Sequence, residues 1–478
     1  MSALIYALSV LSSLTTVDVP AGTQFHVRLT STVGSYASRP GSPVQAVLIA
    51  PVTVAGSAVF PANSVLSGVV KTVRRVGYGL VHESAGIDLR FDRLTLPDGE
   101  ELPISARVIQ VDNGRERVNR KGLIERERST GTLTYRGCGY IKTALLWNFE
   151  SELAFWAIKS LVVQVPEPEI YFQPGVELTL ASTAPMLAAA MEPSVGRPLN
   201  VPETKEVDDL VASMPKRSLS ASTSMPSDLI NIGFVGSRAQ LTTAFAAAGW
   251  TEANPVSFRS KALGFKAVAE GMGYLSAPMS AQLVNDIEAN ISLQKGLNDV
   301  SKRHHIRVWK HSSNWNGQEV WVGAATRDVD FAYLRPGGRF THRIEENIDQ
   351  EREKIVYDLA FTSCVERTDW IDRPGFRRSA RNATGDLMTT DGRLALVRLN
   401  GCTDPKLTTA SSELNPVVKH GTGIQRFARR EILSMRNDLF RANPYFRTYE
   451  GIRALVNVYK RTWPLLDARN RPALRASS

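Results

Sequence analysis

The chain is poor in cysteine, and its three, Cys138, Cys364 and Cys402, are far apart with no C-x-x-C pair. That argues against a cysteine zinc site. One thiol must stay unpaired in a monomer, and a Cys364–Cys402 bridge requires that both lie in one domain. The H-x-E, H-E-x-x-H and H-x-H spacings are absent, as are the G-x-S-x-G elbow, the phosphate-loop lysine and the full dinucleotide glycine set. Neither a metal site nor a cofactor is therefore expected. No nucleic-acid fold motif is present, and nucleic acid is not expected as a partner. Long apolar runs are lacking too. Ser2–Leu14 is apolar, with the length of a signal-peptide core but no Lys or Arg before it; a first strand is the alternative. Thr143–Val165 carries Glu150, Glu152 and Lys159 with apolar residues at helical spacing, which predicts an amphipathic helix rather than a membrane span.

Net charge is also missing from most of the chain. Of the formal +10, Pro405–Ser478 supplies nearly all, with fourteen Lys and Arg against five Asp and Glu. The charge belongs to a tail. Ile424, Phe427, Ala428, Ile432, Met435 and Leu439 fall on one side of a helix predicted over Gly423–Leu439, and a second helix is expected over Tyr449–Tyr459. Such a tail can pack on the body of the protein or lie on an anionic lipid surface.

What is present divides the chain. Residues 1–16 are the apolar start, and 17–186 read as a β-barrel or sandwich with one helix. Turn chemistry at Val19–Thr23 precedes alternation at Phe25, Val27 and Leu29. Ile87, Leu89 and Phe91 alternate on odd positions but Leu94 and Leu96 on even ones, so a bulge is expected near Asp92-Arg93. A Pro-Gly-led strand at Phe172–Leu180 mirrors the Val19 segment and is placed to close the barrel. Residues 187–225 are rich in Pro and Ser and read as a linker, with a short helix at Val207–Met214. Residues 226–402 form an α/β, mixed-sheet domain, and 403–478 a basic helical extension; the whole is multidomain α+β. In the α/β domain Ser237 and Gln240 spell a capping box, and Gly249 stands at a helix end. Helices are expected over Phe258–Ala269, Met279–Leu297 and Ile348–Leu359, and strands over Ile306–Lys310, Val320–Ala325 and Leu394–Leu399.

Reactive-looking side chains concentrate between Arg303 and Asp358. His304, His305, His342 and Asp328 are the candidate catalytic groups for acid–base work. Adjacent strand residues point to opposite faces, so only one of His304 and His305 can share a pocket with His342. Arg307, Trp309, Arg327 and Arg343, with Arg377, Arg378 and Arg393 from the following loops, are the candidate ligand-binding set, suited to an anion. In the helix from Ile348, the spacing of Glu351, Lys354 and Asp358 permits ordinary surface ion pairs; alternatively His342 and Asp349 meet His304 or His305 in a cleft.

From Pro226 to about residue 400 the chain resembles the LssY C-terminal domain family. The resemblance rests on Pro226–Asn231, Phe234–Ser237, His304–Trp309, Trp321–Asp328, Thr341–Ile344, Glu351-Arg352 and Thr390–Arg393. Residues Val19–Gln110 resemble the TrbI-type β-barrel domain of type IV secretion channel subunits, on turn and packing motifs. The LssY resemblance implies a bacterial cell-envelope protein, periplasmic or membrane-associated; a cytoplasmic location is the alternative. No phosphatase motif accompanies it. Two readings follow. One is a binding or assembly module at the membrane, whose partners are an anionic small molecule or lipid headgroup, other envelope proteins, and the membrane surface through the basic tail. The other is a hydrolase or acid–base enzyme acting on an anionic, phosphate-bearing or lipid-derived substrate.

Overall fold

The computed structural model describes residues 16–55, 57–78, 84–126, 168–189, 201–270, 272–334, 339–405, 422–442, and residues 452, 455, 456 and 459. The apolar stretch Ser2–Leu14, the helix expected over Thr143–Val165 and most of that over Tyr449–Tyr459 lie outside the described residues, as does Cys138.

Six antiparallel strands close an N-terminal barrel: β1 (Gln24–Leu29), β2 (Pro43–Leu48), β3 (Val65–Arg74), β4 (Gly86–Thr95), β5 (Glu101–Val111) and β6 (Glu177–Ser182). The order around it is β4-β3-β2-β1-β6-β5, and β5 returns to β4. Period-2 alternation turns Phe25, Val27, Leu66, Leu89, Val108 and Leu180 into the interior, all buried. The parity flip in β4 is a register shift between Phe91 and Arg93, which lets Leu94 point inward again. A neighbouring shift falls between Ser67 and Gly68, where a Cβ would overlap the carbonyl oxygen of Arg90; only glycine fits. The Pro-Gly-led strand does close the barrel, since β6 pairs with both β1 and β5.

The remainder is a mixed sheet with few helices. Its elements are α1 (Val201–Ser213), β7 (Arg217–Ser220), β8 (Pro226–Leu229), β9 (Ile232–Val235), α2 (Arg238–Ala247), α3 (Phe258–Glu270), β10 (Gln282–Val284), β11 (Ile287–Glu288), β12 (Ile291–Gly296), β13 (Arg303–Trp315), β14 (Gln318–Leu334), β15 (Arg339–Ile344), α4 (Asp349–Phe361), β16 (Val365–Asp372) and β17 (Arg393–Leu399). In the main sheet the order is β12-β13-β14-β9-β17-β16, with β15 also on β14 and the two-residue strand Thr251–Glu252 at the edge on β12. Among the described strands of this sheet, only β9 and β17 run parallel. The expected α/β domain is thus mostly β: a meander of β12, β13, β14 and β15 needs hairpins and no crossover helices.

The sheet is covered on both faces. On one, Leu241 and Phe245 of α2 and Ile355 and Leu359 of α4 pack against Phe234, Ile306 and Val308. On the other, Val207, Leu210 and Val211 of α1 pack against Trp309, Val322 and Leu396. The stretch read as a linker therefore supplies a full-length helix to a core, and its β7 pairs with β8 and β10. The capping box at Ser237 and Gln240 is formed, and Gly249 takes φ +80° past the helix end. The helix expected over Met279–Leu297 is not there; β10, β11 and β12 occupy the stretch. Asn285 and Asp286 both adopt positive φ, 49° and 62°, the two-residue hairpin geometry that Asn and Asp tolerate, and they reverse the chain between Val284 and Ile287.

The chain divides into two compact units. Residues 1–75, 84–127 and 166–419 form the first, which contains both barrel and mixed sheet; residues 76–83, 128–165 and 420–478 form the second. In the second, α5 (Gly423–Ala442) buries Leu433, while Arg429 and Arg436 donate hydrogen bonds to the carbonyls of Val76 and Gly77. Among the described residues no helix is long and apolar enough to cross a membrane.

Candidate functional site

Residues 303–308 alternate between the two faces of β13. His304 turns to the face that carries α4 and the barrel. There its Nδ1 donates to Glu351 Oε2 at 2.6 Å and its Nε2 donates to Asp112 at 3.0 Å. Asp112 directly follows β5, so this bond joins the mixed sheet to the barrel. Both ring nitrogens face carboxylate oxygens, an arrangement that requires both protons. Burial alone would lower the imidazole's pKa, but Asp112 and Glu351 outweigh it and the pKa is raised. Burial would likewise raise Asp112, yet His304, Arg327 and Lys354 hold its carboxyl far below the usual range.

Beside this pair lies a wider buried network. Arg28 of β1 donates to Glu177 at 2.7 Å and Asp358 at 3.0 Å. Lys295 reaches the same two carboxylates at 3.2 and 3.0 Å, and Lys354 reaches Glu177 at 2.5 Å. The Trp250 indole N–H donates to Asp358 at 3.0 Å. The spacing of Glu351, Lys354 and Asp358 along α4 is thus no solvated face: Glu351 is 3% and Asp358 0% exposed, because the barrel covers them. Glu351 pairs with His304 and not with Lys354, while Lys354 and Asp358 do pair, at 3.4 Å. Sequence reasoning missed Arg28, Asp112, Glu177, Lys295 and the importance of Glu351. The one available signal was the charged stripe at positions 351, 354 and 358, which points at a partner surface as readily as at water.

Between barrel and mixed sheet, beside His304, a cavity of about 410 Å³ remains. The barrel contributes Asp112, Thr179 and His26, and the sheet and α4 contribute Arg327, Glu351 and Tyr357. Burial lowers the pKa of His26 and raises that of Glu353 on the lining.

The other face of β13 holds a separate cluster. His305 Nε2 donates to Asp328 Oδ1 at 3.0 Å, and Arg303 Nε donates to Asp328 Oδ2 at 2.7 Å. His342 Nδ1 lies 3.6 Å from the same carboxylate. Burial holds Asp328 against ionisation, but His305, Arg303 and His342 more than compensate and depress it strongly. Burial keeps His342 below its ordinary pKa despite Asp328. So the structure gathers His305, His342 and Asp328 and leaves His304 on the opposite face. Asp349 joins neither group; it accepts from Thr390 Oγ1 and the Asp391 amide, both at 2.6 Å.

The candidate ligand-binding residues scatter. Arg307 is buried and bonded to Asp228 at 3.2 Å and to Ser280. Trp309 is core, its indole N–H donating to the Ile287 carbonyl. Arg327 pairs with Asp112 at 2.9 Å. Arg343, Arg377 and Arg378 are exposed, and Arg393 pairs with Asp391 at 2.9 Å beside the Trp370 ring. No single anion pocket brings these guanidinium groups together. Among the described residues no three His, Cys, Asp or Glu side chains are grouped as metal ligands. Cys364 and Cys402 are joined in a disulfide.

Comparison with known proteins bears on this region. Residues 211–394 match the family model described as LssY C-terminus. No curated protein matches the chain. Among solved structures, ComB10 of the Com type IV secretion system of Helicobacter pylori is distantly similar: 9% identity over 37% of this chain and 93% of that one, with a TM-score of 0.22. At that score the likeness carries no argument.

Proposed function

Taking as premise that residues 211–394 form an LssY C-terminus domain, we propose that this protein is a binding and assembly module of a bacterial envelope, held against an anionic lipid surface by its basic tail. The observation that carries the reading is the outward face of α5. Ile424 is 81%, Phe427 47% and Ile432 51% exposed, on a helix that buries Leu433 and donates to the Val76 and Gly77 carbonyls through Arg429 and Arg436. Apolar side chains at helical spacing within a segment carrying fourteen Lys and Arg against five acids fit an interfacial helix on anionic lipid. Ile452, Leu455 and Tyr459 add exposed apolar surface further along. The Cys364–Cys402 disulfide is consistent with an oxidising compartment such as a periplasm. The acid–base alternative is not favoured: His304 stands on the opposite face from His305, His342 and Asp328, and within that group Asp328 is buried and already paired with His305 and Arg303.

Flotation of the full chain with vesicles tests the reading. Co-flotation with phosphatidylglycerol vesicles, weaker on pure phosphatidylcholine and abolished in an Ile424→Asp/Phe427→Asp double variant, is the expected result. A chain that stays at the bottom of the gradient, or a double variant that floats like the parent, overturns it.

A further inference from the structure

The entrance and first turns of α3 carry apolar side chains that the fold leaves in water. Val256 is 62%, Phe258 89% and Leu263 41% exposed. A single apolar residue on a surface needs no explanation, but several together beside charge of one sign do. Residues 253–269 contain three basic side chains, Arg259, Lys261 and Lys266, and no Asp or Glu; the nearest acids in sequence are Glu252 and Glu270.

Helical geometry says which way they point. Ser260 and Ala267 are buried, and at 3.6 residues per turn they lie within about 20° of each other, so they mark the side of α3 that faces the fold. Phe258 lies about 160–180° from both, on the outward line, with the exposed Ala262 about 40° from it. Lys261 stands about 60° to one side, and Lys266 and Arg259 about 80° and 100° to the other; all three are exposed. The outward line of α3 is thus apolar with cations on both flanks. Its entrance is pinned as well. The Ser260 amide donates to Ser257 Oγ at 3.1 Å, the Ser257 amide donates to Ser260 Oγ at 2.8 Å, and Ser260 Oγ donates to the Pro255 carbonyl at 3.0 Å. Val256 and Phe258 therefore project from a capped helix start.

We propose that this end of α3 is a second membrane contact: Val256 and Phe258 enter the interface of an anionic bilayer, with Arg259 and Lys261 at the level of its phosphates. The proposal rests on the membrane reading above and adds to it a contact made by the LssY C-terminus domain itself, apart from the basic tail, since α3 lies within residues 211–394. Charge complementarity selects the occupant. An apolar centre flanked by Lys and Arg fits an anionic lipid surface, which takes up the ring and supplies a phosphate to each cation. A second copy of the same face is the poorer fit, because it would set these cations against one another. Two contacts on one chain multiply their affinities, so the loss of either is measurable while the other is intact.

Partition of the full chain onto phosphatidylglycerol and phosphatidylcholine vesicles tests it. Val256→Asp/Phe258→Asp is expected to lower the partition coefficient on phosphatidylglycerol about tenfold, the size expected when a phenylalanine ring stays in water. Phe258→Trp is expected to keep it, since tryptophan suits the interface. Arg259→Glu/Lys261→Glu is expected to weaken binding to phosphatidylglycerol and leave that to phosphatidylcholine unchanged. These positions are exposed, and an unchanged melting temperature checks that each variant is folded. An aspartate variant and a charge-reversed variant that both partition like the parent overturn the proposal and leave the tail reading standing. A tail variant, Ile424→Asp/Phe427→Asp, that partitions like the parent overturns the tail reading alone. A parent that binds neither vesicle overturns both. Unchanged partition together with a dimer that Phe258→Asp dissociates gives the surface to a second copy and also overturns the proposal.

Discussion

Asp112, the residue after a barrel strand, and His304, the second residue of the longest hairpin in the mixed sheet, meet at 3.0 Å across 192 positions of sequence. With Glu351 on the other ring nitrogen, they form a carboxylate–imidazolium–carboxylate relay that ties barrel, sheet and α4 together.

Removing one member should leave a buried charge alone. Asp112→Asn and His304→Gln are each expected to cost about 3–5 kcal/mol, as when a buried pair loses one partner. Urea unfolding of the two single variants and the double variant measures this. The double variant should cost less than the sum of the singles, because the pair is coupled. Strict additivity would show that the contact contributes nothing.

The same relay makes stability depend on pH with a definite sign. His304 has a raised pKa in the fold, so its contribution is complete below the ordinary imidazole value of about 6.5 and is lost as pH rises through the raised value. His342 has a lowered pKa; its contribution is present above about 6.5 and is lost as pH falls towards the lowered value. Asp112 is depressed, so its share persists until strong acid. The stability gap between the parent and His304→Gln should therefore be widest below pH 6.5 and shrink on the alkaline side, read from denaturation midpoints across pH. A gap that widens with rising pH would contradict the charged relay.

Cys364 and Cys402 are 38 residues apart in sequence and joined by a disulfide. Opening a loop of this size is expected to cost about 3–4 kcal/mol. Dithiothreitol should lower the melting temperature of the parent, while Cys364→Ser/Cys402→Ser should start lower and ignore the reductant. A parent indifferent to reductant, with its thiols shown to be free after treatment, removes the stabilising role.

Arg352 is 0% exposed and grips Asp391 with both Nη1 at 2.9 Å and Nη2 at 3.0 Å, while Nη1 also donates to the Arg393 carbonyl at 2.7 Å. A lysine ammonium cannot reproduce this fork. Arg352→Lys is expected to destabilise by about 2–3 kcal/mol. Because hydrogen bonds from Arg352 and Arg393 help hold Asp391 far below the usual carboxylate range, the variant should also lose stability at a higher pH during acid titration. Unchanged acid unfolding would contradict that link.

Much of the local structure was legible. The parity flip after Phe91 located the barrel's register shift, the Ser237–Gln240 pattern located a helix start, and the echo of the first strand near Phe172 located the closing one. Alternation also separated His304 from His305, and only His305 shares a carboxylate with His342. The reading failed where short-range pattern was ambiguous. Asn285-Asp286 hid a hairpin inside an apolar-rich stretch, and proline and serine content made 187–225 read as a linker, although the short helix read there at Val207–Met214 is part of the packed helix Val201–Ser213.

What the sequence by itself determined is periodic: which residues alternate, where helices begin, and that adjacent histidines face apart. These follow from backbone geometry within a few residues. What only the tertiary structure decided is which of those faces meets another part of the chain. Glu351, Lys354 and Asp358 read the same whether water or a barrel lies opposite them. The barrel's approach buries them, and burial converts an ordinary charged stripe into a network in which every unpaired oxygen has a cost.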